Sequence, residues 1–333
     1  MKNVKTLLIL LSISTFIFAS ATRTDALGGA GFWADDYANI GAFPASVNNH
    51  NVAWTDGSDF TSVWNDDGTI WGFAGGSGHD VANIMWGNGS MGVTLGLSNQ
   101  PEDTDAGTDA DLGLNVGFGM PLSGMDFGVT YGMGGDNYGG GAVGVNLRRA
   151  QNLWLFENIL VGFGMGIAGD DATAEPATMG LSVDLYKNTT YDSGINSLFA
   201  LGFNYNDTGV GGEDPGMGIE WNFAVESAMT DWATLRIGYS HNYDFATGNG
   251  DVTYREASDD TNDCGEGMDE ACDNAVTELK QVGGLVVGLG FNYGSFNLDM
   301  NVGDYGSLFK NPVQYITGRN TELGANWTIS YNW

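Results

Sequence analysis

The chain has 333 residues and a formal net charge of −30, with 53 glycines against only 6 prolines. Such an acidic chain lacks the basic surface that nucleic-acid binding requires, so nucleic acid is excluded as a partner. Its slightly negative mean hydropathy excludes a helical membrane protein but not a membrane β-barrel, whose strands are apolar on one face only.

Residues 1–21 have the features of a secretory signal peptide. Lys2 and Lys5 give it a positive start, and residues 7–18 are apolar but too short to cross a bilayer. Small residues at 19–21 then fit a cleavage site. We therefore expect an exported mature chain that begins at residue 22.

Residues 22–68 show no regular alternation and are rich in Gly, Asp and Asn, which predicts turns and short helix. From Thr69 onward, apolar and polar residues alternate in fourteen segments, the pattern of half-buried strands. The predicted strands are 69–75, 80–87, 90–98, 111–119, 126–134, 141–148, 155–168, 177–187, 195–206, 216–227, 232–243, 280–291, 295–303 and 321–333.

The last predicted strand shows this alternation most fully, with Trp327, Ile329, Tyr331 and Trp333 on one face and small polar residues on the other. A soluble sandwich or propeller would carry more Lys and Glu on its second face. Short and long connections also alternate, as they do in outer-membrane barrels. The sequence thus predicts an all-β fold, a transmembrane antiparallel β-barrel of about fourteen strands over residues 69–333, in the outer membrane of a Gram-negative-type bacterium.

Several charged residues fall on the polar face of these strands, where they would line the lumen because a charge facing lipid is costly. They are Arg148, Asp184, Glu220, Glu226, Arg236, Asp299 and Glu322. Two interpretations stay open. The charges either pair with one another and with the N-terminal segment, or they line a path that favours cations because acids outnumber bases.

The remaining polar motifs favour structure or solubility over chemistry. Cys264 and Cys272 lie in one loop and predict a disulfide after export. The spacing of acids in the loop 99–110 hints at a calcium site but lacks the closing bidentate Glu, so we interpret it as a solvated acidic loop and predict no metal. These candidate acids are Asp103, Asp105, Asp109 and Asp111.

Catalysis is not expected. A hydrolase would need a histidine whose side chain meets a serine or an acid. His241 follows Ser240, so the two side chains point to opposite faces of one strand, while His50 lies in the N-terminal segment and His79 in a tight turn. No Gly-x-Ser-x-Gly motif occurs. We predict no catalytic residue and no cofactor.

The start of the mature chain resembles that of known barrel families. It reads Leu27-Gly28-Gly29-Ala30-Gly31-Phe32, then Ala34-Asp35-Asp36-Tyr37, then Phe43-Pro44-Ala45. This resembles long-chain fatty-acid transporter (FadL-like) barrels and the fourteen-stranded barrels linked to type IX secretion, although Phe43 stands where those families have Asn. The resemblance implies that residues 22–68 form a plug in the lumen, and that hydrophobic molecules pass the plugged barrel and leave through a gap in its wall. The plug would include Asp35, Asp36, Asn39, Phe43 and Pro44.

Three functions are consistent with these features. The first is an outer-membrane channel for passive uptake of small or hydrophobic solutes, and the second is a general cation-preferring porin. The third is a non-transporting surface barrel that docks a partner protein through its acidic loops. The expected partners are outer-membrane lipid, a small solute and the barrel-assembly machinery, which would recognise the C-terminal strand ending at Trp333.

Overall fold

Sixteen strands form one closed antiparallel barrel in the computed structural model. The structure describes residues 21–76, 80–100, 111–133, 141–167, 177–209, 215–244, 282–302 and 326–333. Each strand pairs with its neighbours in sequence, and the ring closes where Val52–Thr55 pairs with the last strand.

The strand bounds follow in chain order. They are β1 (Val52–Thr55), β2 (Phe60–Asp66), β3 (Thr69–Gly75), β4 (Asp80–Gly87), β5 (Gly92–Gln100), β6 (Asp111–Leu122), β7 (Met125–Met133), β8 (Gly141–Leu153), β9 (Phe156–Ile167), β10 (Thr178–Thr190), β11 (Ile195–Asp207), β12 (Gly216–Thr230), β13 (Ala233–Asp244), β14 (Val282–Tyr293), β15 (Phe296–Val302) and β16 (Asn326–Asn332). Even-numbered strands connect to the next strand by turns of two to four residues, such as 67–68 and 191–194; we call this end of the barrel the short-turn end.

The expected count of about fourteen strands is wrong, because the barrel has sixteen. The fourteen predicted strands correspond to β3–β16, and the two that were missed, β1 and β2, lie within residues 22–68. In these two strands the inner face is apolar as well: Val52, Trp54 and Val63 are buried, while Phe60 and Trp64 on the other face of β2 are exposed. Apolar residues on both faces remove the alternation by which strands are recognised.

The other strands have one apolar exposed face and one small or polar face, as their alternation predicts. Leu201, Phe203 and Ile219 are examples of large apolar side chains on the exposed face. Thr94 and Thr328 on the opposite face are almost fully buried. The buried face therefore points into the ring and the apolar face points away from it.

Residues 21–50, which we call the N-terminal segment, contain helix α1 and three short 3₁₀ helices. Their bounds are Ala21–Asp25 for α1 and Ala30–Phe32, Tyr37–Ile40 and Pro44–Asn49 for the 3₁₀ helices. Helix α1 contacts β14, β15 and β16, whereas the last 3₁₀ helix contacts β3 to β7 across the ring. No helix among the described residues has the length and apolar character needed to cross a membrane.

Candidate functional site

The contact between the N-terminal segment and the inner wall is the candidate functional site. One side is an apolar cluster formed with β1 to β4. Ile40 and Val47 of the segment are fully buried there. The wall supplies Val52, Trp54, Val63, Ile70, Ala74 and Met85. Burying side chains of this size stabilises their contact by about 1.5–3 kcal/mol each, so the segment is held firmly on this side.

A second apolar cluster joins the segment to β10, β11 and β12. Leu27, Phe32 and Trp33 of the segment pack against wall residues that include Tyr186 and Leu198. The rings of Phe32 and Tyr186 meet edge to face, with centroids 5.2 Å apart. Such pairs add about 0.5–1.5 kcal/mol to the area they bury. The segment is thus fixed at two separate parts of the ring.

A row of glycines brings the segment close to the wall between these clusters. The row crosses four neighbouring strands in register and consists of Gly87, Gly92, Gly119 and Gly128. A Cβ on Gly92 would lie 2.0 Å from the carbonyl oxygen of Pro44, and one on Gly128 would lie 2.0 Å from that of Ala42. No side chain fits at these two wall positions while the segment is in place.

Charged groups connect α1 to the part of the wall formed by β12, β13 and β15. Arg23 pairs with Asp36 at 2.5 Å and with Glu226 of β12 at 3.2 Å. Arg236 of β13 pairs with the same Glu226 at 2.7 Å and with Asp299 of β15 at 2.6 Å. Because buried charges are stable only when they are paired, these five groups form one network that includes both the wall and the segment.

Arg148 of β8 makes a second polar connection. Its guanidinium bonds Asp126 at 2.8 Å, Asn39 Oδ1 at 2.9 Å and the carbonyl oxygen of Gly31 at 3.1 Å. It also lies over the ring of Phe43, 4.5 Å from the centroid. Asn39 in turn donates to the carbonyl oxygens of Trp33 and Asp36. One wall arginine therefore contacts three residues of the segment directly.

Asn48 connects the segment to the β4–β5 turn. Its Nδ2 donates to the carbonyl oxygens of Ala45 at 2.9 Å and Met91 at 3.0 Å, and its Oδ1 accepts from the amide of Gly89 at 2.7 Å. The β4–β5 turn is at the short-turn end, so this part of the segment lies near that end of the barrel.

His50 ends the last 3₁₀ helix beside Tyr37, with ring centroids 6.2 Å apart. Burial lowers the pKa of its imidazole to about 4, against a smaller opposing effect of Asp35. Its Nε2 is buried and has no hydrogen-bond partner among the described residues. The contact therefore accommodates the neutral imidazole.

The structure brings together four of the seven charged residues expected on the inner face. Arg148, Glu226, Arg236 and Asp299 take part in the pairs above, which matches the first of the two interpretations for these residues. Asp184 and Glu220 lie apart from them, in the part of β10 and β12 farther from the short turns, and form no ion pair within the described part of the chain. Glu322 lies outside the described residues.

The residues expected in a plug occupy different environments. Asp36, Asn39, Phe43 and Pro44 are buried against the wall, whereas Asp35 is exposed. The predicted disulfide, Cys264 and Cys272, and the acids Asp103, Asp105 and Asp109 lie outside the described residues. Asp111 begins β6, where its backbone pairs in register with Gln100. Within the described ranges no group of three or more His, Cys, Asp or Glu could hold a metal ion.

Sequence reasoning missed Arg23 and Asp126, which complete the charged contacts. The scarcity of basic residues could have identified Arg23 as a candidate for an ion pair. The chain has only 11 Lys and Arg residues, and Arg23 is the first of them after the expected signal peptide. A lone cation in so acidic a chain is a candidate for burial with carboxylates.

No family model matches the chain, and no curated protein matches it. Among solved structures, a mutant of the porin from Rh. blastica aligns over 83% of this chain and 89% of that chain, at 9% sequence identity and a TM-score of 0.35. The fold described above rests on the strand pairing and not on this likeness. The comparisons do not confirm the resemblance of residues 27–45 to FadL-like barrels, which stays a prediction.

Proposed function

We propose that this protein is an outer-membrane channel for passive uptake of small or hydrophobic solutes, and that its N-terminal segment is a plug. The observation that carries the proposal is the in-register glycine row, which lets the segment lie against the inner wall of a closed barrel. An inner wall whose glycines leave room for the N-terminal segment suits a channel that is closed at rest. The large apolar side chains on the outer face suit a lipid environment.

The apolar clusters support uptake of a hydrophobic solute. Leu27, Phe32 and Trp33 meet apolar wall residues inside a barrel whose other inward positions are mostly small or polar. A displaced segment would leave these wall residues free to contact an apolar ligand, as binding pockets for such ligands require.

Planar-bilayer conductance tests the plug with the variant Gly119→Val. A Cβ at residue 119 would lie 2.5 Å from the amide nitrogen of Ala45, so the larger side chain must displace the segment. We expect little steady current from the native protein and a clear current from the variant. Gly164→Val is the matched control, because a Cβ there meets nothing within 4 Å.

Heat-modifiable gel mobility must show that both variants form barrels. Equal currents from the native protein, Gly119→Val and Gly164→Val would refute the plug. Uptake of a fatty acid against a sugar by liposomes carrying Gly119→Val then tests the solute class, and faster entry of the sugar would contradict a hydrophobic preference.

A general cation-preferring porin is the second candidate, favoured by Asp184 and Glu220. These carboxylates lie on the inner face without an ion pair among the described residues. In the background of Gly119→Val, a porin of this kind would show a cation-favouring reversal potential that falls when both acids become amides. The third function, partner docking through acidic loops, stays an alternative.

A further inference from the structure

The inner face of β10 to β12 holds two neighbouring carboxylates around one glycine. Gly202 of β11 pairs in register with Asp184 on one side and with Glu220 on the other. A Cβ on Gly202 would lie 2.1 Å from Asp184 Oδ1 and 3.8 Å from Glu220 Cβ. The absence of a side chain on Gly202 therefore makes room for the Asp184 carboxylate above β11.

These carboxylates lack a protein counter-charge within the described part of the chain. The arginines of the site, Arg148 and Arg236 of the wall and Arg23 of the N-terminal segment, are already paired with other acids. Two like charges in partly buried positions repel, and such a pair is stable only when a proton or a cation is shared between them.

A buried amide beside the acids points to a cation. Asn222 is 2% exposed, and its Nδ2 donates to Glu220 Oε1 at 2.9 Å. The Oδ1 of the same amide group is buried and accepts no hydrogen bond from any described residue. A buried carbonyl oxygen without a donor is a ready ligand for a metal ion.

We propose that Asp184, Glu220 and Asn222 bind one hard divalent cation of the calcium class. Two carboxylates and an amide oxygen are the donors that such ions prefer, and water would complete a coordination number of about 6–8. The neighbouring row adds oxygens for that water: a Cβ on Gly218 would lie 2.6 Å from Asn242 Oδ1 and 2.7 Å from Asn204 Oδ1. This proposal does not depend on whether the protein transports a solute.

Paramagnetic relaxation by Mn²⁺ tests the site on the full mature chain in detergent micelles. Mn²⁺ broadens the amide resonances of residues close to it, so it separates an inner-wall site from binding to the acidic loops. At sub-stoichiometric Mn²⁺ we expect loss of the Gly202 and Gly218 signals and their recovery on addition of Ca²⁺ but not of Na⁺.

The variant Asp184→Asn with Glu220→Gln removes the charge and should abolish this broadening. Asp207→Asn, at the end of β11, removes one acid outside the site and should leave it unchanged. Broadening confined to other residues, or unchanged in the double variant, would overturn the proposal. If the double variant does not fold by gel mobility, Glu220→Gln alone must weaken the Mn²⁺ effect for the proposal to stand.

Discussion

At the residue scale, guanidinium groups make the charged contacts between wall and segment. Arg23 and Arg236 share Glu226, so one carboxylate forms ion pairs with both α1 and β13. Arg148 combines an ion pair with two hydrogen bonds and a contact over an aromatic ring. The planar fork of arginine permits such multiple contacts, which a lysine in the same place would not make.

Arg236→Met should destabilise the folded protein strongly. The change leaves Asp299 buried without an ion-pair partner among the described residues and leaves Glu226 with Arg23 alone, and breaking a buried pair costs about 3–5 kcal/mol. The measurement is the unfolding midpoint in urea for the protein in liposomes.

The control for Arg236→Met is Lys187→Met, which breaks the ion pair with Glu157. Those side chains are 41% and 47% exposed, and an exposed pair contributes about 0–1 kcal/mol. Equal unfolding midpoints for the two variants would contradict the claim that the buried ion pairs stabilise the protein more than the exposed pair does.

Acid should weaken the packing of the last 3₁₀ helix against the barrel wall, because His50 at its end is buried as the neutral imidazole. The pKa of His50 is about 4 in the fold, below the ordinary value of 6.5, so the unfolded segment binds the proton first. The contribution of His50 to stability is complete above about pH 6.5 and is lost as the pH falls towards 4.

Amide hydrogen exchange of residues 45–50 measures this effect. We expect exchange, corrected for its intrinsic pH dependence, to rise between pH 7 and pH 4 in the native protein. In His50→Gln, which cannot take up this proton, the rise should be smaller. The same rise in both proteins would assign it to groups other than His50.

At the scale of elements, the β4–β5 turn contacts the N-terminal segment as well as connecting two strands. Asn88 Oδ1 accepts from the amides of Ser90 and Met91 within the β4–β5 turn. Asn48 of the segment bonds the amide of Gly89 and the carbonyl oxygen of Met91 in the same turn. The turn is therefore part of the surface that holds the segment.

Asn48→Ala should loosen the last 3₁₀ helix and the β4–β5 turn together. The change removes three hydrogen bonds, two of them partly shielded from water and one exposed, each worth about 0.5–1.5 kcal/mol. Amide hydrogen exchange at residues 45–49 and 88–91 should increase in parallel.

Asn65→Ala is the matched control, because Asn65 Oδ1 accepts from the amide of Gly68 in the β2–β3 turn. That change should raise exchange only around the β2–β3 turn. If Asn48→Ala affects the turn but not residues 44–49, the proposed connection has no energetic role.

At the scale of the whole molecule, the barrel has its apolar surface outside and its polar groups inside. This arrangement is the reverse of that in a soluble protein, and it is stable only when lipid or detergent covers the outer face. The mature protein should therefore aggregate in buffer without detergent, and a folded monomer there would contradict the membrane location.

Leu201→Arg tests the lipid contact directly. Leu201 lies in the middle of β11 on the exposed face, and an arginine near the bilayer centre costs about 2–4 kcal/mol. Urea titration in liposomes should show a loss of that size. Tyr191→Arg, in the β10–β11 turn, should change stability by about 1 kcal/mol or less, and an equally small effect at both positions would place β11 outside the bilayer.

The sequence by itself determined the faces of the strands and the approximate positions of β3–β16, because side-chain direction alternates along any strand irrespective of its partners. It did not determine where the strands end: β8, predicted to end at 148, continues to Leu153. It also placed Arg148, Glu226, Arg236 and Asp299 on the polar face. Only the tertiary structure decided which of them pair, and that Arg23 joins them, because their partners lie on other strands and in the N-terminal segment. Closure through β1 and the glycine row likewise depend on which distant residues meet, and β1 and β2 are hidden in the sequence because their inner face is buried against the segment.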